Sequence, residues 1–176
     1  MVYWFVRIVV MINQEPCYKN LISILDANDA DYKLFEHRVA LTYEDLQAVQ
    51  KEAGFVGTEG KCMVLKSELG FIVYVTLQGK RVDLERIKNT LGAKKIRLAL
   101  TKELKEYFGA EPGCAYPFGF SEQVDIYVDP NIYKQEWFLF SPVYPSKTIQ
   151  VKGADLEKAF SSLKNKVTLI TNFNQS

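Results

Sequence analysis

The run Phe71-Ile-Val-Tyr-Val-Thr-Leu77 constrains the fold more than any other stretch of this chain. It is a continuous apolar series of β-branched and aromatic residues, which favour an extended backbone. It lacks the polar alternation of a strand with one face in water. Such a run is a central strand, buried on both faces of its sheet. A second strand, Lys61 to Ser67, precedes it directly. A chain of 176 residues is long enough to build a core around such a pair without staples.

The segments around this pair alternate between the two periodicities. Pro16, favoured in a first helical turn, opens a helix capped by Asn13 or Gln14, with Tyr18, Leu21, Ile22 and Leu25 on one face. Tyr32 to Glu36 is extended. Thr42 caps a helix that turns Leu46 and Val49 inward. Gly54, Gly57 and Gly60 make a flexible loop. Asp83 caps and Gly92 stops a third helix, Ile96 to Ala99 is a short strand, and Thr101 to Phe108 is a helix ended by Gly109. Strands follow at Val124–Val128, Glu136–Phe140 and Thr148–Val151, then a helix over Ala154–Leu163 and a last strand over Val167–Ile170. Strands in succession late in the chain favour an α+β (mixed α/β) fold around one mixed sheet with surrounding helices. No repeat, low-complexity tract or linker interrupts it, so residues 13–176 read as one domain. Residues 1–12, MVYWFVRIVVMI, are too short to span a bilayer and lack the pattern of a signal peptide. They read as an apolar extension or an extra edge strand, with Met11 as a second candidate start.

Several chemistries are missing. There is no P-loop spacing and no Gly-x-Ser-x-Gly elbow. Gly54, Gly57 and Gly60 open no helix, so they are not a dinucleotide fingerprint. His37 is the sole histidine, so neither a His-Glu-x-x-His motif nor a Cys/His zinc cluster can form, and no metal or cofactor is expected. The cysteines Cys17, Cys62 and Cys114 form no Cys-x-x-Cys pair, and their odd count fits a reducing cytoplasm rather than a disulfide framework. A Cys114–His37 hydrolase is formally possible, although a lone cysteine more often packs as a small apolar residue. Asp125 and Asp129 share a strand face, but Pro130 follows at once and favours a capping role.

Net charge is only +1, yet residues 61–105 hold 11 Lys or Arg against 4 Asp or Glu. This basic middle is either a set of solvated helix faces or a track for a polyanion. Two local features stand out. In Gly113-Cys-Ala-Tyr-Pro-Phe-Gly119, glycines permit close backbone approach and Pro117 fixes the turn, so successive N–H groups can converge on one point. Lys61 opens a buried strand just after Gly60 and holds its charge at the rim of the sheet, as a snorkelling lysine or as a cation for a phosphate.

The order Lys-Cys-Met-Val-Leu-Lys (61–66), Leu-Gly-Ala-Lys-Lys-Ile (91–96), Gly-Cys-Ala-Tyr-Pro-Phe-Gly (113–119) and Val-Asp-Ile-Tyr-Val-Asp-Pro (124–130) resembles the YbaK/prolyl-tRNA-synthetase-associated domain family. Leu34-Phe-Glu-His-Arg38 and Ala154-Asp-Leu156 also sit where that family has similar segments. The resemblance covers about residues 15–165. It implies an aminoacyl-tRNA deacylase acting in trans on mischarged tRNA, mostly tRNA for proline carrying a small non-cognate residue. Water attacks, helped by the ribose hydroxyl of the substrate, without metal or side-chain nucleophile.

On this resemblance Lys61 holds the tRNA end, and Gly113, Cys114 and Ala115 present N–H groups to the carbonyl while Pro117 stiffens the loop. His37, Phe118 and Gly119 join Lys61 as substrate-binding positions. Arg86, Lys88, Lys94, Lys95 and Arg97 are candidates for phosphate contacts along the acceptor stem. The implied partners are mischarged tRNA and a prolyl-tRNA synthetase, with no membrane. Two departures bear on the substrate. Cys62 stands where alanine-editing members tend to have Asn, and Phe140–Pro145 replaces a small Ser-Gly-Gly-like turn.

Overall fold

A computed structural model describes residues 2–170, with side chains from Glu15 onward. Met1, residues 171–176 and the side chains of the apolar N-terminal segment lie outside the described residues.

The elements run α1 (Val2–Ala27), β1 (Tyr32–Glu36), α2 (Tyr43–Ala53), β2 (Thr58–Ser67), β3 (Gly70–Leu77), α3 (Leu84–Leu91), β4 (Ile96–Leu98), α4 (Thr101–Phe108), β5 (Asp125–Val128), a 3-10 helix (Pro130–Lys134), β6 (Phe138–Phe140), β7 (Lys147–Val151), α5 (Gly153–Ser161) and β8 (Val167–Leu169). One sheet takes the order β1-β7-β6-β2-β3-β5-β8, with β4 also paired to β2. It is mixed: β2 and β3 are antiparallel, whereas β3 with β5, β5 with β8, and β2 with β6 are parallel.

The apolar run lies at the centre, as its composition requires. Alternate residues of β3 enter different cores. Val73, Val75 and Leu77 pack with Leu21 and Leu25 of α1, Phe118 and Phe138, while Ile72 and Tyr74 pack with Leu65, Ile87 and Tyr127. A third, smaller core holds Val49, Phe55 and Leu139 under α2. Each fully buried aliphatic side chain contributes about 1.5–3 kcal/mol, so β3 and the face of α1 carrying Leu21 and Leu25 anchor the molecule.

Local signals set the helix ends. The Thr42 hydroxyl accepts from Asp45 N–H at 3.1 Å, Asp83 caps α3 through Arg86 N–H at 3.0 Å, and Gly92 and Gly109 close α3 and α4 in the left-handed conformation. Three readings change. Residues 2–12 form turns of α1 in place of an extra strand, and Pro16 lies inside that helix. A short apolar run suits either element, and periodicity alone does not separate them. β2 begins at Thr58, so Gly60 belongs to a strand rather than to a loop. The 3-10 helix after Asp129 had no sequence expectation.

One gap in the pairing matters most. On the edge of β2 away from β3, β6 pairs only with Thr58 and Glu59, and β4 only with Leu65 to Ser67. Between them the edge from Gly60 to Met63 has no strand partner among the described residues.

Candidate functional site

A cavity of about 260 Å³ occupies this gap. Its floor is β2 from Glu59 to Met63; its walls come from Leu41–Tyr43 and Leu46 at the start of α2, Gly113 and Ala115, and Phe140 and Ser141 at the end of β6. Lys61 and the Gly113 loop, separated in sequence by β3, α3, β4 and α4, therefore line one space.

Glycine shapes that space at two points. A side chain at Gly60 would sit inside the ring of Phe138, so only glycine lets β6 close on β2 and bring Phe140 and Ser141 to the cleft. Gly60→Ala is expected to cost roughly 1–3 kcal/mol by overpacking, read as a lowered urea midpoint. Gly113 has φ +88, and a Cβ there would lie 3.0 Å from the Leu41 carbonyl oxygen. A non-glycine residue in that conformation is strained, so glycine keeps the loop against the entry to α2.

Within the loop, side chains alternate. Cys114, Tyr116, Phe118 and Phe120 are buried, while Gly113 and Ala115 face the cavity. The Cys114 N–H donates to Glu111 O at 2.9 Å, so it is not available to a ligand. Gly113 and Ala115 line the cavity, and no backbone hydrogen bond from either N–H is found among the described residues. The Cys114 thiol is wholly enclosed, and burial, aided by the charge of Glu111, pushes its pKa up to about 12. A thiol so held supplies almost no thiolate near neutral pH. His37 offers it no base: the two ring nitrogens lie 2.7 Å from Arg38 O and 2.9 Å from Thr148 Oγ1. The Cys114–His37 arrangement is thus not assembled.

Besides Cys114, four residues expected at the site lie off the cavity. His37 is fixed at the start of the β1–α2 connection by the contacts just given. Phe118 is fully buried and packs edge-on to Phe160, with ring centroids 5.3 Å apart. Gly119 is pressed on α1, where a Cβ would meet Leu21 N at 3.0 Å, and its carbonyl accepts from Asn20 Nδ2 at 2.8 Å. Pro117 is buried and does not line the cavity. The alternation ends after Ala115: every residue from Tyr116 to Phe120 is buried.

The cavity also holds a residue that the sequence reading passed over. Glu59 is 8% exposed, and its Oε1 is buried without a hydrogen-bond partner among the described residues. Desolvation raises its pKa to about 7. Glu59 and Lys61 share a face of β2, two residues and about 7 Å apart. The available signal was that alternation, hidden because Gly57 and Gly60 disguised the first turn of the strand as loop.

A model of the aminoacyl-tRNA editing domain matches residues 37–159, a span containing Glu59, Lys61 and the Gly113 loop. The chain belongs to the aminoacyl-tRNA editing domain family. A proline–tRNA ligase of Bacillus pumilus is 30% identical over 111 residues, covering 61% of this editing domain chain but 19% of the ligase. The chain thus spans about a fifth of that relative. The prolyl-tRNA editing protein ProX of Acetoanaerobium sticklandii is 26% identical over 144 residues, 78% of this chain and 87% of ProX. The multifunctional Ser/Thr-tRNA deacylase ProXp-y of Escherichia coli is 22% identical over 143 residues, covering 78% and 84%. A solved structure of a candidate trans-editing enzyme for prolyl-tRNA synthetase superposes with TM-score 0.67 at 18% identity over 89% of this chain and 98% of that one. At that identity it shows the fold.

In this editing domain the basic segment forms a second, shallower hollow lined by Lys66, Lys88, Lys94, Lys95 and Arg97. It lies at the far end of β2, ~16 Å from Lys61 at strand spacing. Its cations are unequal. Arg97 is held by both Glu103 oxygens at 2.7 and 2.8 Å, and Lys88 is paired with Glu85 at 2.5 Å. Glu68 is occupied by the backbone N–H groups of Lys94 and Lys95, leaving both lysine side chains exposed. Arg86 caps into Asp83 through its backbone and is not among the residues lining the hollow. The departing turn after β6 keeps an unusual backbone. Val143 has φ +72, a conformation that costs a β-branched residue about 1–2 kcal/mol, so the chain retains a glycine-like path without a glycine. Among the described residues no group of His, Cys, Asp and Glu is placed to hold a metal, and no helix is long and apolar enough to cross a membrane.

Proposed function

We propose that this editing domain hydrolyses the ester of mischarged aminoacyl-tRNA, with a positioned water as the nucleophile and without metal. The observation that carries the reading is the cavity that Lys61, Gly113 and Ala115 line together. Lys61 supplies a cation for the terminal phosphate or ribose of the tRNA. The N–H groups of Gly113 and Ala115 stabilise the oxyanion that develops as water attacks the carbonyl, an effect commonly worth ~10²–10³ in rate per donor. An aminoacyl ester is already activated, so positioning and oxyanion stabilisation suffice.

The small cavity favours a small aminoacyl group, and the names of the relatives favour tRNA for proline as the carrier. A synthetase docking partner and a cytoplasmic setting follow from that substrate, and the cysteines being free fits a reducing compartment. Lys94 and Lys95 are the better-placed phosphate contacts, since their side chains are not committed to carboxylates. The test is ester loss from a panel of labelled mischarged tRNAs. Turnover of at least one member is expected, and Cys114→Ser should keep its rate within about twofold because the thiol is not a nucleophile. Tight binding without turnover on every member overturns the hydrolytic reading in favour of a non-catalytic tRNA- or synthetase-binding module. Loss of activity in folded Cys114→Ser overturns the water mechanism.

A further inference from the structure

Among the described residues, Glu59 Oε1 is the buried side-chain oxygen left without a hydrogen bond. Its surroundings explain neither its presence nor its position. Register places it beside Leu139 on β6, and Leu139 belongs to the apolar core under α2 with Val49 and Phe55. No described cation lies within ion-pair reach of it. A carboxyl of this kind costs stability unless something outside the chain completes it. It lines the same cavity as Lys61, Gly113 and Ala115.

The cavity brings four groups together. Lys61 offers positive charge, the backbone at Gly113 and Ala115 offers neutral donors, and Glu59 offers negative charge. An aminoacyl ester carries the complementary groups: an anionic phosphodiester end, a polar carbonyl, and an α-ammonium on the carbon next to it. We propose that Glu59 is the receptor for the α-ammonium of the aminoacyl group, selecting esters that carry a free amine. This rests on the aminoacyl-ester reading of the same cavity. An ammonium would satisfy the orphan oxygen by a charge-assisted hydrogen bond. Because burial holds the carboxyl near pKa 7 in the free protein, binding a cation near neutral pH releases part of a proton.

The test compares ligands that differ only in that amine. Alanyl-tRNA is converted to lactyl-tRNA, which replaces the ammonium by a hydroxyl at nearly constant size. The matching amide-linked alanyl and lactyl derivatives of adenosine monophosphate serve for binding by calorimetry, where hydrolysis plays no part. At pH 7.5 the wild-type chain is expected to favour the alanyl member of each pair by about 10- to 100-fold. Glu59→Gln should shrink that preference to roughly threefold or less, by weakening the alanyl member alone. Thermal melts confirm that the variant folds, and the substitution removes the charge while keeping the size of the side chain.

A wild-type preference absent from both assays overturns the proposal. So does an equal loss on alanyl and lactyl members in Glu59→Gln, which marks a general base or a structural group. A Glu59-dependent preference in binding, with neither ester hydrolysed, upholds the ammonium receptor while removing the deacylase reading.

Discussion

Lys61→Ala is expected to lower kcat/KM for aminoacyl-ester hydrolysis by about 10- to 150-fold, the loss of one hydrogen bond to a charged group. The argument starts from what the lysine does not do. It lies in the cavity, and no ion pair or hydrogen bond to it is found among the described residues, whereas Lys88 and Arg97 of the basic hollow are committed to Glu85 and Glu103. Its ammonium is therefore available to a ligand. Removing it leaves no buried carboxylate that had depended on it through a salt bridge, so the variant should melt close to the wild-type temperature. The loss should shrink as salt is added, because a phosphate contact is screened. A second comparison locates the effect. Lys94→Ala combined with Lys95→Ala should weaken full-length tRNA but leave a short aminoacyl-adenosine substrate unchanged, since those residues line the hollow at the far end of β2 and not the cavity. Lys61→Ala should impair both. If Lys61→Ala spares the short substrate, the lysine is not at the reacting end.

The elements that could be read from sequence are those whose signals are local. Thr42 and Asp83 cap because their side chains reach the N–H three residues on, and Gly92 and Gly109 end helices because they alone enter the left-handed region cheaply. The buried run at 71–77 declared its central position through composition. What could not be read depends on distant partners. Gly60 looked like loop because glycine usually is, and only the ring of Phe138, 78 residues away, explains it as a strand residue. The N-terminal apolar segment was ambiguous because helix and strand share an apolar pattern over a dozen residues.

The candidate site divides in the same way. Lys61, Gly113 and Ala115 were legible and line one cavity. Cys114 was placed in the same loop, but strand-like alternation turns its thiol into the core and gives its N–H to Glu111. Phe118 and Gly119 follow it inward. The basic segment was legible as charge, yet its partners decide which cations remain: Arg97 is occupied by Glu103, whose carboxyl that pairing holds well down, at a pKa of about 2. Charge counting finds the face, and only geometry finds the free groups.

Glu59→Gln is expected to stabilise the protein, and by an amount that depends on pH. Burial raises this carboxyl from about 4.5 to about 7 in the folded chain. Below pH 4.5 it is neutral in both states and costs nothing as a charge. Between these values the folded state binds more protons than the unfolded one, so wild-type stability falls as pH rises. Above pH 7 the carboxylate is charged in both states, and the cost levels off at about 3 kcal/mol, taking 1.36 kcal/mol for each pH unit of difference. The other titratable groups lining the cavity are Lys61, Tyr43 and Cys62, and all three are present in both proteins, so the difference between variant and wild type isolates Glu59. Urea melts should show the two nearly equal at pH 4 and Glu59→Gln more stable by about 3 kcal/mol at pH 8, a rise of roughly 6–12 °C in Tm. A gap that does not change with pH would mean that Glu59 finds a partner in solution. The expected gap would mean that the chain keeps a costly carboxylate in its cleft, as a binding site must when its partner group arrives only with the substrate.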